Sequence, residues 1–245
     1  MLANRLELKY YVDRTTRTGF ARDLRALMQP DEHSGEDGSY RVRSLYFDSP
    51  DYVAYHDKLA GLAVRHKCRV RTYGEDPTRV PFVRFEVKSR YIGIIKKVTA
   101  LVRNADYPEI ERGFSRRLLP PRRLLDEHPG LLEFFRLQKT FNLEPKIIVQ
   151  YRREAFERSE QGRIRVNFDD ELVANRSVAL LGELPGARRL LRPGHSIFEI
   201  KVDGPMPSWM HMLISKYNLM NRAISKYCVA VRSEAMLSAV SRQGD

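Results

Sequence analysis

Val64-Arg65-His66-Lys67-Cys68-Arg69-Val70-Arg71-Thr72-Tyr73 sets a cation or a tyrosine at every second position. Side chains of a β-strand alternate between its two faces. The stretch therefore predicts a strand with Arg65, Lys67, Arg69, Arg71 and Tyr73 on one face. Val64, His66, Cys68, Val70 and Thr72 take the other, where His66 and Cys68 read as packing groups. The pattern recurs along the chain. Arg5, Glu7, Lys9, Tyr11 and Asp13 oppose Leu6, Leu8, Tyr10 and Val12. Arg84, Glu86, Lys88 and Arg90 oppose Val83, Phe85, Val87 and Ser89. Arg163, Arg165, Asn167 and Asp169 oppose Ile164, Val166 and Phe168, and Glu199 and Lys201 oppose Phe198, Ile200 and Val202.

Eight strands are predicted: Arg5–Asp13, Tyr40–Asp48, Val64–Tyr73, Phe82–Tyr91, Ile94–Leu101, Lys146–Phe156, Arg163–Asp169 and Ile197–Asp203. Short connections between most of them predict antiparallel pairing. Gly35–Gly38 and Glu75–Thr78 read as loops, and Gly182–Gly194 as a connector containing Pro and Gly. Helices are expected at Thr18–Met28, just after Asp48-Ser49-Pro50, at Gly113–Leu125 and Gly130–Asn142 as a broken pair in which Pro120-Pro121 interrupts a helical stretch, and at Pro207–Leu219 and Ser225–Val240. Trp209 and Met206, Met210, Met212 and Met220 read as core contacts of the C-terminal helices, and Lys216 as a snorkelling surface lysine.

The 245 residues carry 43 Lys and Arg against 31 Asp and Glu, a formal charge of +12, which calls for an anionic partner. No stretch approaches the roughly 20 apolar residues of a membrane span, and Met1–Glu7 lacks the pattern of a signal peptide. A cytoplasmic protein is expected. The two cysteines, Cys68 and Cys228, read as reduced thiols. No CxxC or HExxH occurs, which argues against zinc, and no GxxxxGK[ST] occurs, which excludes P-loop chemistry. Nucleic acid is disfavoured: the cations alternate along strands beside acids, and the aromatic residues fall mostly on apolar faces.

A half-buried sheet with a solvated face would mix its charges. Here like charges stack along single strands, where they repel. If helices cover the apolar side, the charged side lines a closed sheet. The expected fold is α+β, a closed eight-stranded antiparallel barrel with helices outside. A phosphate chain would relieve the crowding of guanidinium groups. Glu7, Glu86 and Glu199 each precede a lysine by two positions. They read either as ligands for Mg2+ or Mn2+ or as neutralisers of neighbouring arginines, with Glu199 the favoured ligand.

The ordered set of segments Glu7–Val12, Ser44–Asp48, Arg69–Gly74, Phe85–Lys88, Tyr151–Phe156, Arg163–Arg165, Phe168-Asp169, Phe198–Lys201 and Ser225–Tyr227 resembles the triphosphate tunnel metalloenzymes. Within them it is most similar to the polyphosphate polymerase domain of the vacuolar transporter chaperone (VTC) complex and its bacterial relatives. The resemblance implies a single domain over residues 1–245. It implies phosphate contacts from Lys9, Arg69, Arg71, Lys88, Arg153, Arg165 and Lys226, with Lys96 or Lys97 as a further contact. Lys201 joins the nucleotide- or phosphate-binding set, Tyr151 flanks the path, and Glu199 holds Mn2+ or Mg2+, with Glu7 and Glu86 as further metal candidates. ATP and polyphosphate are the implied partners and polyphosphate synthesis the implied activity.

The hydrolase (CYTH) branch opens with Glu-x-Glu-x-Lys, whereas this chain has Arg5-Leu6-Glu7-Leu8-Lys9. That departure puts two-metal hydrolysis in doubt. The alternatives are a tripolyphosphatase or polyphosphatase on the same scaffold and a non-catalytic polyphosphate binder. A class IV adenylyl cyclase fits less well, for lack of the opening motif and of a base-recognition site.

Overall fold

The computed structural model describes residues 5–35, 37–74, 76–159 and 162–241, with side chains from residue 6 to residue 234. Met1–Asn4, the side chain of Arg5, and Glu36 and Glu75 in the two predicted loops lie outside the described residues. The elements follow in the order β1 (Arg5–Val12), α1 (Arg14–Arg25), β2 (Gln29–Pro30), β3 (Ser39–Asp48), α2 (Val53–Leu59), β4 (Val64–Tyr73), β5 (Phe82–Tyr91) and β6 (Ile94–Arg103). Next come α3 (Tyr107–Glu111), α4 (Arg122–Glu127), α5 (Pro129–Thr140), β7 (Glu144–Arg158), β8 (Ile164–Asn175), β9 (Arg188–Arg189), β10 (Ser196–Asp203), α6 (Ser208–Lys216) and α7 (Lys226–Ser241). All eight predicted strands form, as β1, β3 to β8 and β10, within two residues of their predicted limits except at the end of β8, which runs on from Asp169 to Asn175. No helix of the described residues is long and apolar enough to cross a membrane.

The chain divides into two compact units: Met1–Arg41, Tyr151–Val173 and Arg189–Ser225 in the first, and Val42–Gln150, Ala174–Arg188 and Lys226–Asp245 in the second. In the first unit the strand order is β1-β10-β8-β7, and α1 and α6 cover the apolar face. Phe20 and Leu24 of α1 and Met210 of α6 pack with Tyr10, Phe168 and Phe198, and the Phe20 and Phe198 rings lie 4.6 Å apart. In the second unit the order is β7-β3-β4-β5-β6, and α3, α4 and α5 cover Leu45, Phe47, Val70, Phe85 and Val87. Gly130 permits the closest approach there. A Cβ on it would sit 2.8 Å from the backbone oxygen of Thr99. In each unit helices thus cover the apolar side, and in the second unit α7 also reaches the charged side, where the Tyr227 ring lies 5.2 Å from that of Tyr46.

The closed barrel expected from the sequence does not form. The hydrogen-bonded path has two ends, β1 and β6, and no pairing joins them among the described residues. The cause at β1 is local. Its free backbone edge is already engaged at Lys9, whose N–H donates to Asn221 Oδ1 at 3.0 Å and whose carbonyl accepts from the Arg222 N–H at 2.7 Å. An edge occupied by a crossing segment is closed to a further strand.

The helices correct three other expectations. Pro120-Pro121 interrupts the stretch as expected, but Gly113–Leu125 is helical only from Arg122, in α4, and an irregular turn with Arg117 at φ 52 precedes it. α1 begins at Arg14, earlier than predicted, since the Asp13 carboxylate accepts from the Thr16 N–H at 2.8 Å and caps it. Met212 and Met220 are exposed rather than core residues, at 65% and 64%. Lys216 is the surface lysine expected, and it pairs with Asp23 at 2.5 Å.

Asp48 ties the second unit together at one point. Its fully buried carboxylate accepts from the N–H groups of Ser49 (2.8 Å), Ala54 (2.8 Å) and Tyr55 (3.0 Å) and from the Tyr227 hydroxyl (2.5 Å). It so fixes the start of α2 and the first turn of α7 to the end of β3. Replacement by alanine leaves these donors buried without an acceptor. Asp48→Ala should lower stability by about 3 kcal/mol or more, and Tyr227→Phe by about 1–2 kcal/mol. Urea denaturation of the two variants checks both values.

Candidate functional site

In the second unit the strand register lines up the charged side chains in rows. One row runs Tyr46, Arg69, Glu86, Thr99 across β3 to β6, a second Ser44, Arg71, Arg84, and a third Lys67, Lys88, Lys97. Glu86 sits at the centre, 3% exposed. It accepts from Arg69 Nε at 2.7 Å, lies 2.6 Å from Lys97 Nζ, and has Arg71 Nε at 3.8 Å. Burial alone would raise its pKa. The two guanidinium groups and the ammonium outweigh that and hold the carboxyl well below the usual carboxylate range. Lys97 shares this face, whereas Lys96 pairs in register with Ser89 on the helix-covered face, so the alternative offered by the sequence resolves to Lys97. Lys88 is solvent-exposed, and Lys226 opens α7 beside the buried Tyr227.

Two tyrosines accompany these cations. Arg69 donates to the Tyr46 hydroxyl at 3.4 Å, and Arg71 to the Tyr73 hydroxyl at 3.2 Å and to Ser44 Oγ at 2.9 Å. Burial raises the pKa of both phenols, but the arginine charges dominate and bring each down to about 8. Ser44 and Tyr46 were not among the residues predicted for the site. The signal was present, because Ser44-Leu45-Tyr46-Phe47-Asp48 alternates like its neighbours, but without charge.

In the first unit the row Lys9, Glu199, Asn167 runs across β1, β10 and β8, beside the row Glu7, Lys201, Arg165. Lys9 Nζ lies 2.7 Å from Glu7 and 3.7 Å from Glu199, and Lys201 Nζ lies 3.1 Å from Glu199. Burial, the largest effect, and Arg153 nearby pull the Lys201 ammonium down to about 8, although Glu199 works against them. Arg153 makes a two-pronged pair with fully buried Asp169, at 2.6 Å and 2.9 Å, and also donates to the Tyr151 hydroxyl at 3.3 Å. Arg165 pairs with Asp31 and approaches Glu157 at 3.8 Å. Lys9, Glu7, Glu199, Lys201, Tyr151, Arg153 and Arg165 therefore share one unit.

The carboxylates differ in their fitness for a cation. Glu86 is enclosed by three positive groups and does not fit a metal ligand. Glu199 fits better. Directly across the ladder from it, Asn167 is fully buried, and neither its Oδ1 nor its Nδ2 has a hydrogen-bond partner among the described residues. An orphaned buried amide is rare and costs stability. An oxygen donor set of Glu199, Glu7 and Asn167 Oδ1 suits a hard divalent cation such as Mg2+ or Mn2+, with phosphate oxygens completing its shell. No cluster of three or more His, Cys, Asp or Glu that could hold a metal is found among the described residues, so protein donors alone do not make a cage.

The VTC domain family model matches residues 4–235. No curated protein matches the chain. Among solved structures, a Hippeastrum protein described as an adenylyl cyclase candidate with a dominant triphosphatase activity superposes with a TM-score of 0.52 at 11% identity, covering 94% of this chain and 96% of that one. A Pyrococcus horikoshii OT3 protein gives 0.49 at 11% identity, covering 94% and 99%. An adenylate cyclase candidate from Bacillus halodurans gives 0.48 at 15% identity, covering 90% and 93%. The first of these likenesses supports a shared fold.

If Asn167 is kept for a ligand, removing its amide should help the empty protein. Asn167→Leu is expected to gain about 1–2 kcal/mol in the presence of a chelator. The same variant should lose most of the rise in Tm that Mn2+ gives the parent protein. Thermal denaturation with and without Mn2+ reads both effects.

Proposed function

This chain belongs to the VTC domain family, and from that premise we propose that it is an ATP-dependent polyphosphate polymerase. The observation that carries the reading is the fixing of cations at alternate positions beside Glu199 and the unpaired amide of Asn167. Such an array matches a substrate whose charges repeat along a chain.

In this scheme Lys9, Lys201, Arg153 and Arg165 bind phosphate oxygens beside Glu199 in the first unit, and Arg69, Arg71, Lys88, Lys97 and Lys226 are a phosphate-binding set of their own within the second. The arginines do so by paired charge-assisted hydrogen bonds, which fix orientation as well as charge. Tyr151 stays beside Arg153 and limits its rotation. A divalent cation on Glu199, Glu7 and Asn167 would neutralise charge at the transferring phosphoryl group. The terminal phosphate oxygen of the growing chain attacks the γ-phosphorus of ATP. The bond between that phosphorus and the β–γ bridging oxygen breaks, and ADP leaves. The attacking oxygen is already ionised near neutral pH, so no side chain need act as a base. Positioning and electrostatic stabilisation supply the catalysis. Arg5, in place of the first glutamate of the CYTH opening, favours this reaction over two-metal hydrolysis of tripolyphosphate.

Incubation with ATP and Mn2+ should yield long acid-labile phosphate chains on a resolving gel. Orthophosphate released from tripolyphosphate, with no chains from ATP, would identify a hydrolase instead. Glu199→Gln should lower turnover by about two orders of magnitude or more while the circular dichroism spectrum stays that of the parent.

Affinity should also depend on pH. As pH rises through about 8, Tyr46 and Tyr73 become phenolates beside Arg69 and Arg71 and compete with phosphate for them. Bound phosphate would return each phenol toward its ordinary pKa of 10.0. By linkage, tripolyphosphate affinity should fall between about pH 7 and about pH 9, by up to about tenfold for each tyrosine. Lys201, also near 8, loses its charge over the same range, so the Tyr46→Phe/Tyr73→Phe double variant should show a smaller fall than the parent rather than none, and titration calorimetry across that range decides it.

A further inference from the structure

A pocket of about 410 Å³ lies wholly within the first unit, away from the charged rows just described. That volume falls in the range of about 300–1,000 Å³ common for small-ligand sites. Four arginines, Arg14, Arg17, Arg189 and Arg192, line it with only two acids, Asp170 and Glu171.

Its parts are built to stay in place. Arg17 is held from below by Asp170 at 2.8 Å and Glu154 at 2.6 Å, with its guanidinium over the Phe168 ring at 5.0 Å. Asp170 also accepts from the Ser196 hydroxyl, so its charge is already engaged. Arg192-Pro193-Gly194-His195 closes a turn through the His195 N–H to the Arg192 carbonyl at 3.1 Å, with Gly194 at φ 78. Proline followed by a left-handed glycine is the pattern of a type II turn, and only glycine takes that second place without strain. The Arg14 side chain packs along this turn, its Nε 3.6 Å from where a Gly194 Cβ would stand. The Leu190 N–H donates to the Leu172 carbonyl at 2.8 Å and pins the segment that carries Arg189. Between these elements Glu171 adopts φ 53, a conformation costly for a residue with a Cβ, and strain of this kind concentrates at functional positions.

Arg14, Arg189 and Arg192 are solvent-exposed and form no ion pair among the described residues. Their guanidinium groups are thus open to an anion entering the pocket, beside an Arg17 whose charge Asp170 and Glu154 already meet. We propose that this pocket is a second anion site, separate from the polymerase site, for a compact phosphate-bearing anion. The guanidinium fork matches tetrahedral phosphate oxygens better than a lysine would, and the three of Arg14, Arg189 and Arg192 suit an anion of several charges, such as pyrophosphate or tripolyphosphate. The inference does not rest on the polymerase reading, because none of its residues belongs to that site.

Calorimetric titration with inorganic tripolyphosphate tests it. The parent protein should show two classes of site. Arg14→Ala/Arg189→Ala/Arg192→Ala should lose one class and keep the other, and Arg69→Ala/Arg71→Ala should weaken the other and keep the first. Each single alanine variant should weaken the pocket about tenfold. A second measurement needs no variant: tripolyphosphate should protect Arg14 and Arg192 of the parent from an arginine-modifying reagent, read by mass spectrometry. One class of site that the Arg69/Arg71 variant alone removes, or unprotected Arg14 and Arg192 at saturating ligand, overturns the proposal. A parent protein that shows the pocket class alone, with no class sensitive to the Arg69/Arg71 change, would count against the polymerase reading and not against this one.

Discussion

Repulsion among cations fixed at every second position of neighbouring strands is the constraint around which the structure is organised. A strand cannot turn such side chains away from each other, because backbone period and register decide where they stand. The chain answers with carboxylates placed on the same faces. Glu86 takes Arg69 and Lys97, Asp169 takes Arg153, and Asp31 takes Arg165. Each of these acids is almost fully buried, so each depends on its cations to remain ionised as much as the cations depend on it. The helices contribute by covering the opposite faces with an aromatic and aliphatic core. A one-residue slip in register would carry arginines into that core, and this penalty specifies the pairing strongly.

The strands were legible because this constraint is written in the sequence as a plain alternation. Charged and apolar residues trade places along β4 and β5 without interruption, and both strands begin and end where the alternation does. Barrel closure was not legible. It depends on whether the outer edge of β1 is free, and the bond from the Lys9 N–H to Asn221 joins residues far apart in the chain with no periodic signature. The helices were legible only in part, because a left-handed residue such as Arg117, in the turn between α3 and α4, carries no marker of composition. In the site, charge identified the cations, but the uncharged members Ser44, Tyr46 and Asn167 stood out only once the register placed them beside Arg71, Arg69 and Glu199.

Neighbours, rather than local motif, separate the roles of the acids. Glu86-Val87-Lys88 and Glu199-Ile200-Lys201 are alike as sequence, and both glutamates are buried on a charged face. Across the ladder Glu86 meets Arg69, whereas Glu199 meets Lys9 on one side and Asn167 on the other. A guanidinium saturates a carboxylate with directed hydrogen bonds and leaves no open lone pair for a cation. Glu199 instead meets two ammonium groups, Lys201 at 3.1 Å and Lys9 at 3.7 Å, and an Asn167 amide that has no hydrogen-bond partner among the described residues. Substituting the residue opposite Glu86 would therefore alter its chemistry more than altering the Glu-x-Lys motif itself. In a strand-built site of this kind the unit of function is the cross-strand row, and a motif read along one strand supplies only half of it.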